Sequence, residues 1–128
     1  MIRVAAAIIR EAGRILLVQR PTTAAMGGLW EFPGGKLEPG ETPEAALARE
    51  LVEELDITVQ VGPLYHTTDH TYPDGLHVQL AFYSCTIVAG HPRLLWGQAL
   101  ASVAPAELPG YAYPPADVAV VQRLADEG

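Results

Sequence analysis

Hydrophobic and polar positions along this chain change their spacing several times, from the alternation typical of strands to the three- and four-residue spacing typical of helices. Apolar and β-branched runs predict strands at positions 4–9, 15–18, 29–32, 57–64, 77–88 and 98–103. Helical spacing is found around Leu47, Leu51 and Leu55, and again over 117–125. The resulting order, β-β-β-α-β-β-β-α, predicts an α+β fold with a mixed sheet between two helices.

Turn and cap residues mark where these elements begin and end. Thr42 is a suitable N-cap, and Pro43 fits the first position of the first helix. The polar stretch 66–75 follows the predicted strand 57–64 and contains a Pro-Asp-Gly turn, so we predict a passage from strand to loop there. A short helical turn is predicted at 104–108, followed by a Pro- and aromatic-rich loop at 111–116.

Length and composition fit one folded domain spanning residues 1–128. Hydrophobic residues make up 49% of the chain and charged residues 18%, which is typical of a globular protein. The single Cys85 excludes an intrachain disulfide and a Cys-based zinc site, and it favours a reducing, cytoplasmic setting. The apolar N-terminal segment is followed at once by Arg10 and Glu11, so it is too short to span a membrane and is interpreted as a strand.

The formal net charge of −7 bears on the class of partner. It argues against a protein that coats polymeric nucleic acid, because neutralising phosphates requires a basic surface. It does not argue against a small polyphosphate ligand, since divalent ions and a few local Arg or Lys side chains reverse the charge of a single site. We therefore expect a small-molecule substrate and no polymeric nucleic acid. No membrane partner is expected either, and both a monomer and a homodimer are left open.

The first predicted helix carries three acids, Glu50, Glu53 and Glu54, at spacings that place them on one face. Like charges at this spacing destabilise a helix by roughly a few tenths of a kcal/mol per pair, and the C-terminal half of a helix disfavours anions. Such a face is commonly just solvated surface. Clustered carboxylates also suit a hard divalent ion such as Mg²⁺ or Mn²⁺, and the surrounding sequence favours this second interpretation.

That surrounding sequence has a distinctive spacing. Gly35 is followed after five residues by Glu41, after seven more by Arg49-Glu50-Leu51, and after one more by Glu53-Glu54. This spacing resembles the sequence box of the Nudix hydrolases, and the chain is similar to the MutT-type nucleoside triphosphate pyrophosphohydrolases along most of its length. The resemblance implies the Nudix fold, in which a mixed sheet is sandwiched between helices (α/β/α).

The resemblance also implies roles for the residues of the box. Glu50 and Glu54 are the main metal ligands, Glu53 orients water or binds a further ion, and Arg49 holds a neighbouring carboxylate in position. The carbonyl of Gly34 is a further candidate ligand. Together these residues form the predicted catalytic and metal site, with Mg²⁺ or Mn²⁺ as the cofactor.

Two positions depart from the family pattern. Asp56 stands where relatives have Gly, at a position past the end of the helix that is normally left-handed and tolerates Asn or Asp. Trp96 stands where many relatives have a late Glu, so the identity of the general base is left open.

Residues outside the box indicate where the rest of a nucleotide would bind. Arg20 has the offset from Gly34 that an Arg has in MutT-type enzymes, and it is a candidate phosphate contact together with Lys36; an ordinary surface Arg is the alternative. Asp117 precedes the last helix, where relatives place a side chain against the nucleobase, although it also suits an N-cap. Phe32 is a candidate for stacking on the base, with core packing as the alternative.

The resemblance predicts a Mg²⁺-dependent enzyme that converts a nucleoside triphosphate into its monophosphate and pyrophosphate, by attack of water on the β-phosphorus. Oxidised nucleotides such as 8-oxo-dGTP are the preferred substrates in this interpretation. CTP, dCTP or 5-methyl-dCTP are the alternative, because a carboxylate accepts hydrogen bonds from cytosine N4 and Pro115-Ala116-Asp117 is similar to bacterial cytidine triphosphate pyrophosphohydrolases. A Nudix module that binds nucleotide without hydrolysing it is the alternative of another class.

Overall fold

The computed structural model describes residues 1–128 and contains seven strands, two α-helices and two short 3₁₀ helices. The strands are β1 (Ile2–Glu11), β2 (Arg14–Gln19), β3 (Trp30–Glu31), β4 (Gly34–Lys36), β5 (Thr58–Thr71), β6 (His77–Ala89) and β7 (Ala99–Val103). The helices are α1 (Pro43–Leu55) and α2 (Val118–Glu127), with the 3₁₀ helices at Pro105–Gly110 and Pro115–Asp117. The predicted order of elements is confirmed, except that β4 was not expected.

The strands form one mixed sheet. Its main path runs β3-β2-β1-β6-β5, while β4 pairs with β1 and β7 pairs with β2. The central strands β1 and β6 are parallel, from Ile2 opposite Val78 to Ile9 opposite Cys85, and every other pairing is antiparallel. No helix of the structure combines the length and the apolar character that crossing a membrane requires.

Side chains of β1 alternate between the two faces of this sheet and so divide the core in two. Ala5, Ala7 and Ile9 pack in a cluster with the leucines of α1. Ala6 and Ile8 pack on the opposite face with the apolar side chains of α2. The predicted arrangement, a mixed sheet between two helices, is confirmed.

Local signals in the sequence account for both ends of α1. The hydroxyl of Thr42 accepts a hydrogen bond from the Ala45 N–H at 3.1 Å, and Pro43 occupies the first helical position. Asp56 ends the helix in the left-handed region (φ 56°, ψ 40°); its N–H donates to the Val52 carbonyl at 3.1 Å, and the Ile57 N–H donates to the Leu51 carbonyl at 3.4 Å. The expectation for Asp56 is therefore confirmed, and α1 keeps its full length.

The predicted strand 57–64 is too short, because the strand continues through most of the polar stretch 66–75. Strand β5 continues to Thr71 and pairs with β6 up to the pair Thr71–His77, which leaves only 72–76 for the turn. The side chains of this part are polar because one face of the strand is exposed, and the antiparallel pairing with β6 does not depend on their polarity.

Candidate active site

The loop between β3 and α1 brings backbone very close to the first of the three helix acids. A Cβ built on Gly35 would lie 2.6 and 2.7 Å from the two carboxylate oxygens of Glu50. Only glycine leaves room for this approach, because real Cβ atoms do not come so near another heavy atom. Strand β4 holds the segment in place by pairing Gly34 and Gly35 with Ala6 and Ala5 of β1.

Glu50 and Glu54, one helical turn apart, place their carboxyl groups against each other. The pKa of Glu54 is raised far above its ordinary value, first by burial, then by the hydrogen bond and charge of Glu50, and further by the charge of Glu31. A backbone hydrogen bond from Gly34 acts in the opposite direction. Two carboxyl groups in such contact either share a proton or share a cation.

Arg49 holds the outer side of this acidic helix. Its guanidinium donates two hydrogen bonds to Glu41, at 2.9 and 2.8 Å, and further ones to Glu50 at 3.0 Å and Glu53 at 3.3 Å. Hydrogen bonds from Arg49 are the main cause that lowers the pKa of Glu41 to about 2. Two acids that Arg49 contacts differ in accessibility, because the side chain of Glu53 is 58% exposed whereas that of Glu50 is 17% exposed.

The donor set fits a hard divalent ion through two carboxylates rather than three. No group of three or more His, Cys, Asp or Glu side chains in the structure converges on one point. Glu50 and Glu54 do face the same space beside the Gly34–Gly35 backbone, and all the donors there are oxygen atoms. Mg²⁺ is commonly held by one or two carboxylates together with substrate phosphates, so this geometry meets its requirements.

A cavity of about 510 Å³ extends from these acids across one face of the sheet. Glu50, Glu54 and Lys36 line it, as does Asp117. Apolar side chains also line it, among them Val4, Val78, Leu80 and Phe82. The volume and the mixed lining are typical of a small-molecule site.

Arg20 lies in the wall of this cavity and is held on several sides. Its Nη1 donates to both oxygens of Glu31, at 3.0 and 3.1 Å, and its Nε donates to the Ala25 carbonyl at 2.7 Å. The ring of Trp96 lies 5.4 Å from the centre of the guanidinium. The Nη2 group makes no hydrogen bond within the protein, which leaves it free for a ligand.

Sequence reasoning missed Glu31, which also lines the cavity. Burial raises the pKa of its carboxyl group, and the charge and hydrogen bond of Arg20 oppose the rise. Its charge in turn raises the pKa of both Glu54 and Asp117. The one signal in the sequence was an acid within the strand-like run 29–32, directly before the glycine loop.

Asp117 is not a helix cap through its side chain. It is 4% exposed, and its carboxyl group makes no capping hydrogen bond at the start of α2. Its pKa is raised to about 7, mainly by burial and secondly by the charge of Glu31, while Arg20 works in the opposite direction. A buried acid that lines a cavity and lacks a structural partner is a strong candidate for a ligand contact.

The remaining candidates differ in how accessible they are. Phe32 is 3% exposed and packs edge-on against Phe82 at 5.7 Å and parallel to Tyr113 at 6.4 Å, so it is part of the core and only borders the cavity. Lys36 is exposed at the edge of the cavity, and its carbonyl accepts a hydrogen bond from Arg49.

Gly35→Ala tests whether the position of Glu50 matters for catalysis. The new methyl group should displace the Glu50 side chain and leave the fold intact, because the atoms it meets are the end of a flexible side chain. We expect the kcat/KM for the substrate to fall about tenfold or more, since small misplacements of a positioned group are costly. Gly110→Ala is the matched control, because nothing lies within 4 Å of its Cβ. Full activity in Gly35→Ala would show that the position of Glu50 is unimportant.

Comparisons with known proteins agree with this site. The NUDIX domain family matches residues 4–123. An 8-oxo-dGTP diphosphatase from Proteus vulgaris is 46% identical over 86 residues, which are 66% of this chain and 76% of the relative. A CTP pyrophosphohydrolase from Escherichia coli (strain K12) is 40% identical over 124 residues, which are 97% of this chain and 91% of the relative. The crystal structure of the MutT protein from Methanosarcina mazei Go1 has a TM-score of 0.86 at 25% identity, covering 98% of this chain and 94% of that one.

The chain belongs to the Nudix family and, within it, to the MutT-type hydrolases. The resemblance noted in the sequence is thereby confirmed, and so is the Nudix fold. The family assignment also confirms that the protein is a hydrolase of the pyrophosphatase kind.

Proposed function

We propose that this protein is a Mg²⁺-dependent nucleoside triphosphate pyrophosphohydrolase, which converts NTP and water into NMP and pyrophosphate. The observation that carries the proposal is the paired carboxyls of Glu50 and Glu54, facing the Gly34–Gly35 backbone in a cavity that also holds a buried Asp117. Two relatives that match this chain over most of their own length are named as a diphosphatase and a pyrophosphohydrolase, which supports the same reaction.

Carboxylate oxygens of Glu50 and Glu54, with the Gly34 carbonyl, would hold the metal ion, which is Mg²⁺ or Mn²⁺. A bound divalent ion supplies charge for the phosphate oxygens and lowers the pKa of a coordinated water. Arg49 keeps Glu50 in position through its hydrogen bond at 3.0 Å. The exposed Glu53 orients water or binds a further ion.

The chain's cations contact the phosphates in this proposal. Arg20 offers its unpaired Nη2 group, in an orientation set by its contacts with Glu31, Ala25 and Trp96. Lys36 borders the same cavity and can follow a flexible phosphate chain as a mobile point charge. These two residues act on binding and charge, while the acids of α1 act on the metal and water.

The nucleobase lies against Asp117 and beside Phe32 in this proposal, and 8-oxo-dGTP is the favoured substrate. The relative with 46% identity, named as an 8-oxo-dGTP diphosphatase, supports this choice. The second candidate is a cytidine nucleotide such as CTP, dCTP or 5-methyl-dCTP. It is favoured by the buried carboxyl of Asp117, which accepts from an exocyclic amine, and by the relative named as a CTP pyrophosphohydrolase.

A panel of nucleotides tests the proposal. Purified protein with Mg²⁺ is given 8-oxo-dGTP, dGTP, CTP, dCTP, 5-methyl-dCTP and ADP-ribose, and the products are separated by chromatography. We expect monophosphate and pyrophosphate, with the highest kcat/KM for 8-oxo-dGTP. In ¹⁸O-water the label should appear in pyrophosphate, because water attacks the β-phosphorus. Tight nucleotide binding with no turnover of any compound would instead favour the non-catalytic module.

A further inference from the structure

A short segment after β6, residues 93–97, closes the C-terminal end of α1; we call it the helix-end loop. The Arg93 N–H donates to the Leu55 carbonyl at 2.8 Å, and those of Leu95 and Trp96 donate to the Glu54 carbonyl at 2.9 and 3.2 Å. These bonds satisfy carbonyl groups that the end of a helix leaves without partners. The backbone of Trp96 is thereby attached to Glu54, a candidate metal ligand.

The backbone on the other side of Trp96 is equally constrained. Gly97 has φ of 100°, and a Cβ there would lie 2.7 Å from a methyl group of Val18 and 3.0 Å from the carbonyl of Gln19. The next residue, Gln98, donates its N–H to that same carbonyl at 2.9 Å. The chain is therefore held on both sides of Trp96, and the guanidinium of Arg20 lies over the face of its indole ring.

The contacts of Arg20 constrain its guanidinium in complementary ways. Hydrogen bonds to Glu31 and Ala25 lie along the N–H directions, within the plane of the group, and so fix where it points. The guanidinium carbon lies over the indole ring of Trp96, 5.4 Å from the ring centre, and the ring face adds an attractive contact that these hydrogen bonds do not supply. An acid at position 96 would place a second carboxylate beside Arg20, whereas the indole holds the guanidinium without neutralising it.

We propose that Trp96 is a positioning residue, which holds the guanidinium of Arg20 at a set place relative to Glu54. One residue then connects the phosphate contact to the metal-binding acids, through its N–H on one side and its ring on the other. The inference rests on the proposed function, specifically on Arg20 as a phosphate contact.

A double-mutant cycle between positions 96 and 20 tests the proposal. Trp96→Leu keeps an apolar side chain and the backbone N–H but removes the aromatic face, and Trp96→Phe retains an aromatic face. We expect Trp96→Leu to lower kcat/KM for the best triphosphate by about 5- to 30-fold, the range of a partly desolvated cation–π contact, and Trp96→Phe to stay within about threefold of wild type. In an Arg20→Ala background, Trp96→Leu should cause no further loss.

Leu95→Ala is the matched control, because that side chain is 53% exposed on the same loop. Its activity should equal that of wild type. Melting temperatures show whether each variant is folded at the assay temperature, and Trp96→Met replaces Trp96→Leu in the cycle if the latter is unfolded. A loss in Trp96→Leu that adds to that of Arg20→Ala, or a loss of the same size in Trp96→Phe, would overturn the proposal.

Calorimetric binding separates this inference from the proposed function. Trp96→Leu should weaken binding of a non-hydrolysable triphosphate analogue by a factor similar to that seen in kcat/KM, and leave binding of the unphosphorylated nucleoside unchanged. If wild type binds the analogue and hydrolyses nothing, the proposed function has failed, and the same cycle in binding affinities decides on Trp96. A wild type that binds no triphosphate would overturn both.

Discussion

Glu54→Gln should reduce turnover by a factor of at least about 10³ while the protein stays folded. Gln retains the size of the side chain but loses the negative charge that a divalent ion requires, and charge stabilisation is the largest single contribution in many enzymes. In the metal-free protein, burial and the neighbouring Glu50 raise the pKa of Glu54 far enough to keep its carboxyl protonated, so the uncharged Gln replaces a group that is already neutral. The metal-free variant should therefore melt no lower than wild type.

The control for this prediction is Glu44→Gln, the same change on the same helix. Glu44 is exposed in the first turn of α1, away from the cavity, and its replacement should leave kcat within about twofold of wild type. Single-turnover measurements at saturating Mg²⁺ and substrate distinguish a loss of chemistry from a loss of binding. Activity near that of wild type in Glu54→Gln would refute its assignment as a metal ligand.

Metal removal provides the complementary experiment. After treatment with EDTA, hydrolysis should fall to background, and Mg²⁺ or Mn²⁺ should restore it, because the site offers only oxygen donors. Zn²⁺ should not be required. Full hydrolysis after exhaustive chelation would contradict the metal-dependent mechanism, even if Glu54→Gln proved inactive.

How much of this site the sequence predicts depends on the range of the interactions involved. Both ends of α1 follow from local signals at Thr42, Pro43 and Asp56, and the leucine stripe follows from spacing alone. These features involve residues within about two helical turns, so reading along the chain was sufficient for them.

Features that depend on pairing between distant segments were missed. Glu31 meets Arg20 because β3 pairs with β2 and places Glu31 opposite Val18, two residues from Arg20. The full length of β5 likewise depends on pairing with β6 rather than on its own polar sequence. Strand propensity reflects such surroundings more than the backbone preference of single residues, which explains these errors.

Asp117 illustrates the same limit for burial, because its position before a helix suited a cap equally well. The structure places it on the short 3₁₀ helix Pro115–Asp117, with its carboxyl facing the cavity instead of the N–H groups of α2. No local signal distinguishes these two orientations. A capping carboxyl and a cavity-facing carboxyl do predict different outcomes for the substitution Asp117→Asn.

Asp117→Asn should change which base is accepted. A carboxylate accepts hydrogen bonds only, a protonated carboxyl donates one, and Asn offers both a donor and an acceptor at all pH values. We expect a change in the ratio of kcat/KM for 8-oxo-dGTP over that for dCTP. Its size should correspond to about 1–3 kcal/mol of discrimination, the energy of one good base contact. The rate with the better substrate should stay far above that of Glu54→Gln, because Asp117 does not touch the metal ligands.

The same variant should remove a pH dependence of stability. Burial and, secondly, the charge of Glu31 disfavour the ionised carboxyl of Asp117 and raise its pKa from the ordinary 3.8 to about 7 in the folded protein. Between those pH values the folded protein retains a proton that the unfolded chain has lost. The contribution of Asp117 to the free energy of unfolding should therefore fall as pH rises from about 4 to about 7, by at most about 4 kcal/mol, and stay lowered above that.

Asp117→Asn should lack this contribution, so its stability relative to wild type should rise across the same window and then level off. Asp126→Asn, the same change at an exposed position of α2, should run parallel to wild type at all pH values. Urea unfolding at several pH values between 4 and 8 measures all three proteins. If Asp117→Asn also ran parallel to wild type, Asp117 would not be a buried acid whose ionisation is disfavoured. If it left the substrate ratio unchanged as well, Asp117 would not contact the base.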